Sequence, residues 1–113
     1  MSGHERIDRR SVALHRAIAA KLAQDPELLE IARDNLRRWR AEAGRSTHYL
    51  EEWSRLLDRP LPELAALIVE DSERMRALRQ STPFAGVLDP KERWAIYDAF
   101  ATGTHHPGGG DHR

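Results

Sequence analysis

The chain has 113 residues, the size of one domain or less, with room for one modest core. It has no cysteine, which excludes a disulfide framework and thiolate chemistry. Eighteen Lys and Arg balance eighteen Asp and Glu, so no large field attracts nucleic acid, and 32% charged residues with a mean hydropathy of −0.68 make a very polar composition. The excess is uneven: residues 1–24 hold five cations against two carboxylates, and residues 46–80 hold five against seven.

The pattern reads as all-α, a small bundle of about five helices over residues 1–102. No β-branched run reaches strand length. The first helix is predicted from about Asp8 to Ala23, with Ile7, Leu14, Ile18 and Leu22 on one face and His15 on its flank as an ordinary boundary residue. The second opens at Asp25 as N-cap, with Pro26 in the first turn and Glu27 favoured by the helix dipole. Leu28, Ala32, Leu36, Trp39 and Ala43 line its apolar side, and Gly44 ends it. Its opposite face carries Glu30, Arg33, Asp34, Arg37, Arg38 and Arg40. Arg33, Arg37 and Arg40 are the candidate DNA-contacting residues, although ion pairing along the helix explains them without DNA.

Ser46 or Thr47 caps a third helix that presents Tyr49, Leu50, Trp53, Leu56 and Leu57, broken by Asp58-Arg59-Pro60-Leu61-Pro62. A fourth helix is predicted from about Pro62 to Gln80 with Leu64, Leu67, Ile68, Met75 and Leu78 on its stripe. Asp71 falls on that stripe, where a charge needs a partner; a partly buried bridge to Arg74 or another arginine is expected. A short apolar Pro/Gly loop, Phe84-Ala85-Gly86-Val87-Leu88, follows and must bury its side chains under its own bundle or against a partner. The last helix has the strongest start signal: Asp89 and Glu92 form a capping box around Pro90, and Trp94, Tyr97, Phe100 and Ala101 form the expected face. Residues 103–113, with three glycines in a row and three histidines, read as a disordered tail.

Little here points to catalysis. There is no Gly-rich phosphate loop, no histidine pair at zinc-site spacing on a helix, and the paired carboxylates Glu51-Glu52 and Glu70-Asp71 do not face each other. The chain is therefore read as a non-enzymatic binding protein without cofactor or metal. A signal core is not apparent, and no apolar run reaches the roughly 18 residues of a membrane span, so a cytoplasmic location is expected. Three tryptophans on three helices, Trp39, Trp53 and Trp94, serve as core packing or as partner anchors.

Residues 49–97 carry Glu52-Trp53 with Leu56-Leu57, then Asp71-Ser72-Glu73-Arg74, then Leu78-Arg79-Gln80-Ser81-Thr82-Pro83-Phe84-Ala85-Gly86-Val87-Leu88, then Glu92-Arg93-Trp94. This segment resembles small bacterial antitoxin-like proteins of toxin–antitoxin modules. The resemblance implies a protein that binds a cognate toxin, a nucleotidyltransferase-like or RNA-targeting enzyme, and neutralises it by steric occlusion. Phe84, Val87 and Leu88 would then fill an apolar cleft of the toxin, beside Trp53. Trp94 would brace the loop, and Asp71, Arg79 and Gln80 would make polar contacts at the rim. The internal alternative has Arg79 and Gln80 bonding loop carbonyls and the end of the fourth helix. A helical DNA-binding regulator, a non-catalytic enzyme subunit and a homo-oligomer stay open.

Overall fold

The computed structural model describes the backbone of residues 3–43 and 48–104, with the side chains of residues 8–42 and 48–100. Six α-helices and one 3₁₀ turn form, and no strand is present among the described residues. The predicted caps Gly44, Ser46 and Thr47, the side chains of Ile7, Ala43 and Ala101, and the histidines of the tail lie outside the described residues.

Helix α1 spans Gly3–Gln24 and buries His15, Ile18 and Leu22, with Leu14, Ala17 and Ala19 partly covered. At its end Asp25 N–H bonds Lys21 O at 2.9 Å, and the chain turns through the 3₁₀ segment Pro26–Leu28. Asp25 stands at the predicted N-cap, but its side chain makes no cap bond. The α-helix proper, α2, begins three residues after Pro26 and runs Leu29–Ala43. The proline supports a tight 3₁₀ turn here, because its missing N–H costs nothing at the first position of either helix type. Ala32, Asn35 and Leu36 of α2 are buried, and Trp39 packs at the core's edge. Helix α3, His48–Leu57, buries Leu50, Trp53, Leu56 and Leu57 and leaves Tyr49 exposed.

The stretch read as one fourth helix is two helices. Helix α4 covers Leu61–Leu67 and α5 covers Glu73–Arg79. Ser72 interrupts them in extended conformation, and its hydroxyl accepts from Met75 N at 3.1 Å. That bond satisfies an orphan donor of α5, which a through-running helix would not need. Asp71 consequently leaves the apolar stripe. The expected bridge forms with another arginine, Arg76, at 2.7 Å, but the Asp71 side chain is 93% exposed, so it is a surface pair rather than a partly buried one. Arg74 turns to Glu52 of α3 at 2.6 Å instead.

Helix α6, Pro90–Thr104, opens with the predicted capping box. Glu92 N bonds Asp89 Oδ1 and Asp89 N bonds Glu92 Oε1, both at 2.8 Å. Its helical backbone runs past the expected boundary at residue 102, through Gly103 and Thr104. Its core-facing side differs from the expected one: Ile96 packs on the core, while Trp94 is 65% exposed. Apolar residues at 94–97, 99 and 100 surround α6 at nearly every angle, so its spacing does not single out a face.

The core gathers Leu22, Ala32, Trp53, Leu64, Ile68, Met75, Leu78, Phe84 and Val87. Trp53 donates its indole N–H to Leu78 O at 3.0 Å and meets the Phe84 ring edge-on, with centroids 5.6 Å apart. No helix among the described residues is long and apolar enough to cross a membrane.

Candidate functional site

The loop from Gln80 to Asp89 is held from inside the bundle. Asn35 Nδ2 donates to Pro83 O at 2.8 Å and to Ala85 O at 3.0 Å, and Val87 N–H closes a turn on Phe84 O at 3.1 Å. Gly86 supplies the left-handed conformation this turn needs, with φ +98°. A Cβ there would meet Ile31 Cγ2 at 3.5 Å, an ordinary contact, so the backbone angle rather than space calls for glycine.

Phe84, Val87 and Leu88 are therefore buried in their own bundle, at 1%, 2% and 5% exposure, and so is Trp53. Insertion of these side chains into a partner is not how this conformation presents them: a loop whose carbonyls are already bonded to Asn35 turns its apolar groups inward. Arg79 follows the internal alternative. Its guanidinium is fully buried, with Nη1 donating to Ile68 O at 3.1 Å and Glu70 O at 3.0 Å, and Nη2 meeting Asp8 Oδ1 at 3.2 Å. It thus clamps the α4–α5 break to α1. Gln80 is exposed at the end of α5, where its backbone N–H bonds Ala77 O at 3.2 Å.

A polar chain crosses the joint between α1 and the loop. His15 Nδ1 lies 2.8 Å from Ser11 O, an atom that can only accept, so Nδ1 carries the proton. Nε2, 2.9 Å from Thr82 Oγ1, is then the acceptor of the threonine hydroxyl, and Thr82 Oγ1 in turn accepts Phe84 N–H at 3.2 Å. Burial pushes the His15 pKa down from 6.5 to about 4; the bond to Ser11 opposes this and the Arg79 charge adds to it. The imidazole is neutral and fixed in one tautomer, a structural part of the site.

Above this joint lies a groove of about 400 Å³ between α1, the loop and α6. Leu14, His15 and Ile18 line it from α1; Thr82, Phe84, Ala85, Gly86 and Leu88 from the loop; Arg93, Trp94 and Tyr97 from α6. Lys21 and Glu92, bridged at 2.6 Å, tie α1 to α6 and hold the Glu92 carboxyl below its usual range, with the Asp89 N–H adding to the effect. Trp94 and Tyr97 meet edge-on at 5.9 Å, and Arg10 stands over the Tyr97 ring at 5.0 Å from its centroid. Of the residues anticipated at a partner surface, the fold brings Phe84, Leu88 and Trp94 to this groove, while Trp53, Asp71, Arg79, Gln80 and Val87 do not line it. Sequence reasoning missed Leu14, His15, Ile18, Arg93 and Tyr97 as parts of the site. The firm register of α6 set by its capping box was the signal that places Arg93, Trp94 and Tyr97 one to two turns from the loop.

No family model, curated protein or solved structure matches the chain.

The arginine face of α2 is accounted for by intrachain partners. Arg33 meets Glu30 at 3.3 Å, Asp58 at 3.9 Å and Leu57 O at 3.2 Å. Arg37 pairs with Asp34, and Arg40 donates to Ser54 Oγ at 2.8 Å. They border a smaller cleft of about 180 Å³ between α2 and α3. Among the described residues, no three His, Asp or Glu side chains gather as a metal site would require.

Proposed function

We propose that the chain is an antitoxin-like binding protein of the cytoplasm that neutralises a cognate toxin enzyme by steric occlusion, with the α1–α6 groove as its contact surface. The observation that carries this reading is Trp94: a large indole 65% exposed, at the mouth of an apolar groove, on a helix whose register is locked by a capping box and an ion pair. Exposed tryptophan next to a preformed apolar recess is the composition of an interface anchor. The resemblance of residues 49–97 to antitoxin-like proteins supports the same reading. It acquires a different geometry here, because Phe84 and Leu88 form the floor from within and Trp94 supplies the projecting group.

Co-expression with the neighbouring reading frame tests it. The neighbour is expected to arrest growth alone and to lose that toxicity when this chain is present, with a complex that co-purifies. A harmless neighbour, or one that remains toxic in the presence of this chain, overturns the proposal.

A further inference from the structure

The cations around the groove differ from those of α3, α4 and α5. The arginines of α3, α4, α5 and their connections, Arg55, Arg59, Arg74, Arg76 and Arg79, all meet a carboxylate. At the groove, Arg93 lines the wall and Arg10 stands over Tyr97, and neither has a carboxylate partner among the described residues. Lys21, further along α1, is already neutralised by Glu92. The recess thus combines an apolar floor of Ile18, Phe84 and Leu88, a projecting Trp94 and two uncompensated guanidinium groups at its rim.

We propose that the occupant of this groove is an acidic, apolar-anchored segment of the partner protein; this rests on the binding role put forward above and specifies its chemistry. An aliphatic or aromatic side chain would seat between Trp94 and the loop, and carboxylates one helical turn to either side would face Arg10 and Arg93. The apolar contact supplies affinity, and the charges supply register and partner choice. Three other occupants fit less well. The chain's own residues 105–113 contain no aliphatic or aromatic side chain apart from proline and histidine, so they hold no anchor for the floor. A second copy placed by a two-fold axis would set the same cations against each other. A nucleic-acid strand needs a continuous basic track, and here two cations flank an apolar recess.

The test uses the full chain and two sets of labelled synthetic peptides, read by fluorescence anisotropy. In one set a single leucine or phenylalanine is flanked by glutamates at one-turn spacing; in the other, lysines replace the glutamates. The glutamate set is expected to bind about tenfold more tightly than the lysine set, a difference that shrinks with added salt. The double variant Arg10→Glu, Arg93→Glu should reverse the preference, and Trp94→Ala should weaken both sets by about tenfold, the scale of a modest anchor. Far-UV circular dichroism confirms that the variants stay folded. Equal binding of the two sets, no binding by the glutamate set, tighter binding of a single-stranded oligonucleotide, or dimerisation that masks Trp94 each overturns the proposal. Neutralisation that survives all three substitutions sinks the groove assignment and leaves the antitoxin-like role standing. Loss of neutralisation by the wild-type chain sinks that role, while the peptide preference is scored independently.

Discussion

Acidification to about pH 5 is expected to weaken the fold through one residue, His15. In the folded chain its Nε2 accepts the Thr82 hydroxyl while Nδ1–H is committed to Ser11 O, and Arg79 lies close enough to oppose a second positive charge. A proton on Nε2 would turn an acceptor into a donor facing Thr82 Oγ1, which already accepts Phe84 N–H. The folded state therefore resists protonation until about pH 4, whereas the unfolded chain takes the proton at 6.5. The unfolded state binds more protons throughout that window, so stability is full above 6.5, falls as pH drops and levels off below about 4. At about 1.4 kcal/mol per pH unit the complete loss is roughly 3 kcal/mol, of which about 2 kcal/mol is reached by about pH 5. Glu52 and Glu92 also have altered titrations, but both are lowered from 4.5, so their contributions fade only at more acid pH. Urea unfolding followed by circular dichroism at about pH 7.5 and about pH 5 measures the difference with one slope. His15→Gln keeps one of the two hydrogen bonds and cannot titrate. It is expected to cost about 1 to 2 kcal/mol at neutral pH, for the unmet partner, and to flatten the pH dependence. A wild-type midpoint that does not move, or a glutamine variant that loses as much as wild type, refutes the buried neutral imidazole.

Phe84→Ala removes a fully buried ring between His15 and Trp53 and is expected to destabilise by about 3 to 5 kcal/mol, with a red shift of Trp53 emission; Trp94→Ala should change stability by less than about 0.5 kcal/mol, and the opposite ranking would exchange core and surface for these residues. Arg79→Ala leaves Asp8 and the carbonyls of Ile68 and Glu70 without their donor, a loss of about 3 to 5 kcal/mol by thermal or urea unfolding. A loss below about 1 kcal/mol would show that this clamp does not hold α1 to the α4–α5 break. Ser72→Ala should cost about 1 kcal/mol, whereas Ser72→Asp keeps the cap; an alanine variant that gains stability and helicity would mean that α4 and α5 prefer to fuse.

The helical class and most of the core were legible because they depend on local spacing. Leu50, Trp53, Leu56 and Leu57 recur at helical intervals and are buried together, and the Asp89–Glu92 box is reciprocal over three residues. The misread places depend on distant partners. The break at Ser72 was hidden because Leu64, Ile68, Met75 and Leu78 look like one continuous stripe, while the group that stabilises it, Arg79, reaches back to Ile68 O across the turn. His15 looked like a boundary residue because Thr82, which satisfies it, lies 67 positions away. The candidate site was half legible for the same reason. The loop and Trp94 stood out as apolar groups in a polar chain, but α1 as the opposite wall, and the inward turn of Phe84 under Asn35, have no local signature.

Among the described residues, side-chain hydrogen bonds join the first third of the chain to its last third at Asp8 to Arg79, His15 to Thr82, Lys21 to Glu92 and Asn35 to Pro83. All but the Arg79 link await residues 82–92, so the nascent chain cannot finish its core while that stretch is still inside the ribosome. Helices α1 and α2 precede that stretch with Leu22, Ala32 and Leu36 uncovered until the ring of Phe84 is in place. Closure of such long loops comes late because their entropy must be overcome before the contacts reward it. The consequence is a fold completed in a single closing event rather than helix by helix. In pulsed hydrogen exchange during refolding, the amides of the loop around Phe84 should gain protection together with those of α1, and early protection of α1 alone would contradict this order.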